Sequence, residues 1–130
     1  MRFNEYVELE QYSLSKDEKE NYFLNLLKDL NEYHFTNSKE YNKISEIYFP
    51  ENKNISSIND FPFLPVSVFK SKLLTSVTQE NIYKILRSSG TTGSIPSQIV
   101  LDKETASLQT LTLSKIISHV VGKERLPMII

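Results

Sequence analysis

The sequence predicts an α/β fold in which helices come first and the opening strands of a sheet follow. Residues 1–57 place apolar side chains three and four positions apart, which is typical of amphipathic helices. Residues 58–130 contain short apolar runs rich in β-forming residues and a further helical stretch. With 130 residues the chain is about the length of one ordinary domain. We therefore divide it into an N-terminal helical segment, 1–57, and the start of an α/β domain, 58–130.

A long helix is predicted after Ser15. Glu18 follows Ser15 at the spacing of a capping box, in which each side chain accepts a hydrogen bond from the amide of the other residue. The next residues form one apolar stripe, which predicts that this side of the helix packs into a core. The stripe consists of Tyr22, Phe23, Leu26, Leu27, Leu30 and Tyr33.

A second, shorter helix is predicted between Asn37 and Pro50, with Tyr41, Ile44 and Tyr48 directed inward. It leads into a proline-containing, apolar segment.

In that segment Pro62 and Pro65 exclude a regular helix. The segment is too rich in aromatic and aliphatic residues for a flexible linker, so we expect an extended, partly buried connection. Its apolar residues are Phe61, Phe63, Leu64, Val66, Val68 and Phe69.

The second half predicts a hairpin followed by a helix. Residues 81–87 and 97–102 are apolar runs of strand length, and 88–96 suit a long hairpin connection. We assign Asp102 to helix capping in preference to catalysis, because a periodic run follows it, and Gly122 suits a helix stop. The side chains expected to face inward from this helix are Ala106, Leu113, Ile117, Val120 and Val121.

The sequence ends within an apolar run, 126–130, that has the character of a buried strand. Such a strand needs neighbouring strands to pair with. We therefore expect an incomplete sheet and interpret the chain as the front part of a larger α/β protein.

Composition argues against several classes of function. Lys plus Arg total 15 and Asp plus Glu total 16, so charge gives no reason to expect nucleic acid or an anionic membrane as a partner. The absence of cysteine excludes disulfides, thiolate metal sites and a cysteine nucleophile within these residues. No apolar run reaches the ~20 residues of a membrane span, and the first residues lack an apolar h-region, so we expect neither a span nor a secretory signal. The absence of cysteine favours a cytosolic protein, so we expect a cytoplasmic location. His34 and His119 are interpreted as ordinary histidines, and no metal ligand is assigned.

The run SSGTTGS, 88–94, is the strongest candidate for a functional site. It holds Gly90 and Gly93, two of the three glycines in the chain. Glycine lets backbone N–H groups converge on an anion, and hydroxyls can donate to phosphate oxygens without adding bulk. A position directly after a strand suits a nucleotide site. The hydroxyl donors are Ser88, Ser89, Thr91 and Thr92.

The same residues also suit an ordinary turn between two strands, and composition alone favours that turn. A Walker loop is excluded because no lysine follows Gly93 before Lys103, and the G-x-G-x-x-G spacing of a dinucleotide site is absent.

SSGTTGS resembles the signature loop of the adenylate-forming enzymes, the acyl- and aryl-CoA ligase superfamily. The resemblance is closest to the acyl-protein synthetases, the LuxE-like branch. FPFLPVSVFKS resembles the proline-rich element of that branch, SSGTTGSIPSQIVLD its loop and strand, and ETASLQTLTLSKIISHVVGKERLPMII the elements that follow. The likeness covers residues 58–130 well and the N-terminal helices loosely. One departure is that many members carry Lys or Arg shortly after the second glycine, whereas 94–97 here carry none.

The resemblance implies an adenylate-forming sheet domain and an ATP-dependent acyl-protein synthetase activity. A fatty acid, or another acyl substrate, and ATP with Mg²⁺ would give an acyl-adenylate, and the acyl group would then pass to a protein thiol. A reductase or other acceptor protein is the implied partner. No catalytic residue is assigned, because the acceptor cysteine and catalytic lysine of the family lie beyond residue 130. The residues implied to bind the nucleotide phosphates are Ser88, Ser89, Gly90, Thr91, Thr92 and Gly93.

The alternative is a non-catalytic remnant or interaction module that keeps the architecture without the chemistry. The missing cysteine and the apolar end of the sequence support it. For these 130 residues alone we expect no turnover.

Overall fold

The structure is a computed structural model that describes residues 3–50, 54–89, 95–122 and 124. Helices come first and the beginning of a sheet follows, which confirms the predicted α/β order. The boundary placed at residue 57 stays a prediction. The helices are α1 (Phe3–Glu8), α2 (Lys16–Asn37), α3 (Lys39–Tyr48), α4 (Val68–Ser71) and α5 (Lys103–Val121), and the strands are β1 (Lys84–Arg87) and β2 (Gln98–Leu101).

The predicted capping box starts α2. The amide and hydroxyl of Ser15 both donate to the Glu18 carboxylate, at 2.8 and 2.6 Å, and the Glu18 amide donates back to the Ser15 hydroxyl at 3.3 Å. The bonds from the Ser15 hydroxyl and amide lower the pKa of Glu18 below its usual value. At the other end of α2, Ser38 closes one helix and opens the next. Its amide donates to the His34 carbonyl at 2.9 Å, and its hydroxyl accepts from the Tyr41 amide at 3.3 Å.

The N-terminal helices pack through aromatic rings. Tyr22 of α2 is buried, and its ring stacks on Tyr6 of α1 with centroids 4.5 Å apart and planes 8° apart. Phe23 meets both rings at a steeper angle. On the far half of α2, the Tyr41 phenol of α3 donates to Asn31 at 2.6 Å. The apolar stripe of α2 therefore packs only in part, since Phe23, Leu30 and Tyr33 are exposed.

Three details of the helical prediction are wrong. Tyr48 was expected to face inward, yet it is 71% exposed, because the contact with α2 runs through the earlier turns of α3. The connection was expected to be extended throughout, yet it contains α4, which begins after a bond from the Val68 amide to the Pro65 carbonyl at 3.0 Å. A proline excludes a helix interior but is compatible with a helix start. Of the apolar residues in that connection, Phe63 and Val66 are exposed.

The third error concerns α5. Its bounds, Asp102 cap and Gly122 stop match the prediction, and Gly122 has φ of +84°, a value that favours glycine. Four of the five side chains expected inward are exposed, whereas Lys115 of α5 pairs with Glu8 and donates to the Val7 carbonyl of α1. The exposed members of the predicted inward set are Leu113, Ile117, Val120 and Val121.

The strands form the predicted hairpin. β1 and β2 are antiparallel, and the register pairs Lys84 with Leu101 and Arg87 with Gln98. The ladder continues at its open end, where the Tyr83 amide donates to the Leu101 carbonyl at 2.9 Å. β1 begins later than predicted because Gln79–Asn81 forms a 3₁₀ turn. The strand predicted from 126 onward lies outside the described residues.

Replacing the cap of α5 tests whether a local signal fixes this helix. The Asp102 carboxylate accepts from the Thr105 amide at 2.6 Å. We expect Asp102→Ala to lower the free energy of unfolding by about 1 kcal/mol, because the amide loses its partner. Asp102→Asn, which keeps an acceptor oxygen, should retain most of that stability. Urea denaturation followed by circular dichroism measures both, and an equal loss in the two variants would contradict the capping role.

Among the helices that the structure describes, none combines the length and apolar character needed to cross a membrane.

Candidate functional site

The base of the hydroxyl-rich loop is closed by a reciprocal pair of serines. The Ser88 amide donates to the Ser97 carbonyl at 3.0 Å, which extends the ladder one position beyond the Arg87–Gln98 pair. In return, the Ser97 amide donates to the Ser88 hydroxyl oxygen at 2.9 Å. Ser97 is buried, whereas Ser88 is exposed. These contacts hold the two ends of the loop side by side.

The structure describes two of the six residues predicted to bind phosphate. Ser88 and Ser89 are both exposed at the end of β1. Gly90, Thr91, Thr92 and Gly93 lie outside the described residues, so their role stays a prediction.

Ser88 has a structural task as well as a predicted ligand task. Its amide is engaged by the Ser97 carbonyl and is not available to a phosphate. Its hydroxyl oxygen accepts from Ser97 and still carries a hydrogen that can be donated outward. The exposed Ser89 hydroxyl is a second outward donor. Chemically, the described edge of the site can therefore donate hydrogen bonds to an anion without contributing charge.

The nearest cation in sequence is Arg87, which ends β1 and is exposed. In the described part of the chain it forms no ion pair. No group of three or more His, Asp or Glu side chains in that part is arranged to hold a metal ion.

Replacing Ser88 tests the structural role of its hydroxyl in the absence of any ligand. We expect Ser88→Ala to lower the free energy of unfolding by about 1–3 kcal/mol, because the buried Ser97 amide loses its acceptor. Ser89→Ala is the matched control and should change stability by less than about 0.5 kcal/mol, since that side chain is exposed. Urea denaturation without nucleotide measures both values. If the two variants were equally stable, the Ser88–Ser97 closure would not be the feature that holds the loop ends.

One polar contact outside the loop was not predicted from the sequence. His34, interpreted there as an ordinary histidine, places its Nδ1 2.7 Å from the Ser76 hydroxyl oxygen. The Tyr33 phenol donates to the Ser76 carbonyl at 3.3 Å. No signal in the sequence could have found this contact, because it joins residues 42 positions apart.

Comparison with known proteins places these features in a family. A family model described as "Acyl-protein synthetase, LuxE" matches residues 6–130. A long-chain-fatty-acid–luciferin-component ligase from Photorhabdus luminescens is 32% identical over 87 residues, which are 67% of this chain and 73% of that protein. No solved structure matches the chain.

Proposed function

The chain belongs to the LuxE acyl-protein synthetase family, and from this premise we propose that residues 88–93 bind the phosphates of ATP during acyl-adenylate formation. In this reaction a carboxylate oxygen of a fatty acid would attack the α-phosphorus of ATP. The bond from that phosphorus to the bridging oxygen would break, and pyrophosphate would leave. The acyl group would then pass to a protein thiol and release AMP.

The observation that carries the proposal is the Ser88–Ser97 closure. A loop that binds phosphate must keep its donors in place before the ligand arrives, since ordering a free loop would reduce affinity. Here the paired serines extend β1 and β2 to the base of the loop, so its ends are fixed by backbone ladder and side chain together. An ordinary turn requires the ladder but not a run of hydroxyl-bearing residues.

The donor chemistry of the loop suits phosphate oxygens better than a metal ion. Hydroxyl and amide hydrogens donate, whereas Mg²⁺ prefers carboxylate, water and phosphate oxygens. We therefore propose that Mg²⁺ arrives coordinated by ATP itself. Without a lysine or arginine at 94–97, the loop would rely on neutral donors, which bind phosphate less strongly than charged ones.

The implied partners follow from the two half-reactions. The first needs a fatty acid or another acyl substrate, and the second needs a thiol on an acceptor, such as a reductase that uses the acyl group. These residues contain no cysteine, so the thiol would be supplied from outside residues 1–130. ATP as co-substrate points to the cytoplasm as the compartment.

Two measurements on the complete product of the gene test the proposal. Isothermal titration should detect binding of Mg·ATP, and ATP–pyrophosphate exchange should depend on added fatty acid. Fatty-acid-dependent exchange supports adenylate formation. Absence of both nucleotide binding and exchange would overturn it.

A second candidate is an interaction module without turnover. It is favoured by the apolar side chains that α5 leaves exposed, Val120 among them at 79%. The same assay distinguishes the two functions, because a module that only docks to a partner would catalyse no ATP–pyrophosphate exchange.

A further inference from the structure

Two residues at the C-terminal end of α2 form hydrogen bonds with Ser76, which lies in the segment that leads into β1. His34 Nδ1 lies 2.7 Å from the Ser76 hydroxyl, and the Tyr33 phenol donates to the Ser76 carbonyl at 3.3 Å. One side-chain bond and one main-chain bond therefore fix both the side chain and the backbone of this residue. Two consecutive residues of a helix reach the same target, which is more restrictive than either bond alone.

Ser76 lies in a braced turn. The Thr75 hydroxyl accepts from the Val77 amide at 3.3 Å and lies 3.2 Å from the Val77 carbonyl, so the residues on either side of Ser76 are tied together. Ser76 itself is half-buried. The two hydrogen bonds with α2 therefore act on a short, bonded unit.

The bracing continues from this turn to β1. The Asn81 amide donates to the Thr78 carbonyl at 3.0 Å and its side chain donates to the Thr78 hydroxyl at 3.1 Å. Tyr83 then joins the β-ladder through Leu101. Hydrogen bonds therefore occur at short intervals along the chain from Thr75 to Tyr83. The position of Ser76 thus constrains where β1 begins.

We infer that Tyr33 and His34 are positioning residues, which hold Ser76 and thereby set the place of β1 and of the Ser88–Ser97 base of the loop. The link to nucleotide binding rests on the function proposed above. The link to the position of β1 does not, since it follows from the described contacts alone.

The surroundings of His34 make the contact sensitive to acid. The titratable groups that face its ring are the phenols of Tyr33 on α2 and Tyr41 on α3, with centroids 5.4 and 6.2 Å away. In the described ranges, no carboxylate pairs with the ring. Desolvation lowers the pKa of His34 from its ordinary 6.5. The folded state then binds fewer protons than the unfolded state. The contribution of neutral His34 to the free energy of unfolding is therefore complete above pH 6.5 and is lost as the pH falls through the lowered pKa.

Amide hydrogen exchange tests the inference. Protection factors of the Tyr83 and Ser88 amides report on β1, and those of α5 report on a helix to which Ser76 makes no hydrogen bond among the described residues. We expect His34→Ala and Ser76→Ala to reduce protection in β1 about five-fold, the effect of one lost hydrogen bond, and to leave α5 unchanged. His34→Asn, whose amide can replace Nδ1, should restore protection. His119→Ala is the matched control and should change nothing in β1.

The pH dependence of β1 protection provides a second test, because a residue that does not titrate would not make this protection sensitive to acid. In the wild-type protein, β1 protection should fall as the solution is acidified below about pH 6.5, whereas in His34→Asn it should not. Unchanged β1 protection in His34→Ala, or an equal loss in α5, would overturn the inference. Titration with Mg·ATP is run in parallel. If the wild-type protein binds none, the proposed function fails, while the exchange comparison still decides the positioning role.

Discussion

Replacing Tyr22 with alanine is expected to lower the free energy of unfolding by about 3 kcal/mol, the lower end of the range for deleting a buried aromatic side chain. Tyr22 is 8% exposed and is one of the most buried apolar residues in the described part of the chain. Its ring stacks on Tyr6 and contacts Phe23, so its removal eliminates the aromatic packing between α1 and α2. Urea denaturation followed by circular dichroism measures the loss.

The phenylalanine variant isolates the hydroxyl. Among the described residues, the buried Tyr22 phenol oxygen has no hydrogen-bond partner, and burial raises the pKa of this phenol. A buried polar group without a partner costs about 1–3 kcal/mol. Tyr22→Phe should therefore match or exceed the wild-type stability. Tyr48→Ala removes an equally large but exposed ring and should change stability by less than about 0.5 kcal/mol. A strong loss of stability in Tyr22→Phe would contradict this prediction, because it would show that the hydroxyl makes a stabilising hydrogen bond.

Helix ends could be predicted because their signals are local. The Ser15–Glu18 capping box, the Asp102 cap and the Gly122 stop each involve residues within a few positions of one another, and all three are present in the structure. The hairpin was predicted for the same reason, since both strands flank one loop. Such features depend on chain chemistry that the sequence shows directly.

Burial could not be predicted so well, because it depends on which element packs against which. An apolar stripe indicates that one side of a helix prefers to be covered, but not what covers it. Val120 and Leu113 were expected inward and are exposed, whereas Ser45, a small polar residue, is almost fully buried on α3. Within the described ranges, Lys115 of α5 donates to the Val7 carbonyl of α1, a polar contact that an apolar pattern does not indicate.

In the candidate site too, local chemistry could be predicted and contacts between distant residues could not. Its composition pointed to Ser88 as a hydroxyl donor, but the exchange of hydrogen bonds with Ser97 depends on the hairpin register and was not foreseen. The contact of His34 with Ser76 is beyond any pattern, because its partners are distant in sequence and neither belongs to a motif. The role of the glycines remains the part of the site that only ligand binding can test.

Replacing Gly90 with valine is expected to weaken Mg·ATP binding by about 100-fold in the complete product of the gene. A branched side chain restricts the backbone and adds bulk where N–H groups would approach the phosphates. Losing about two hydrogen bonds to a charged phosphate, at about 1.5 kcal/mol each, accounts for a change of this size. Isothermal titration measures the affinity, and circular dichroism verifies that the helices are intact. Thr92→Ala, which removes a single predicted hydroxyl donor, should weaken binding by a smaller factor of about ten.

Gly122 provides the matched control for a glycine substitution. Its φ of +84° means that Gly122→Ala should strain the end of α5 and lower the free energy of unfolding by about 1 kcal/mol. Nothing lies within 4 Å of the added carbon, so no other contact should change. This variant should bind Mg·ATP as the wild-type protein does, because strain at the end of α5 does not alter the loop donors. Equal affinity of Gly90→Val and Gly122→Ala would mean that 88–93 only reverses the chain, since a phosphate loop must respond to bulk at its own glycine.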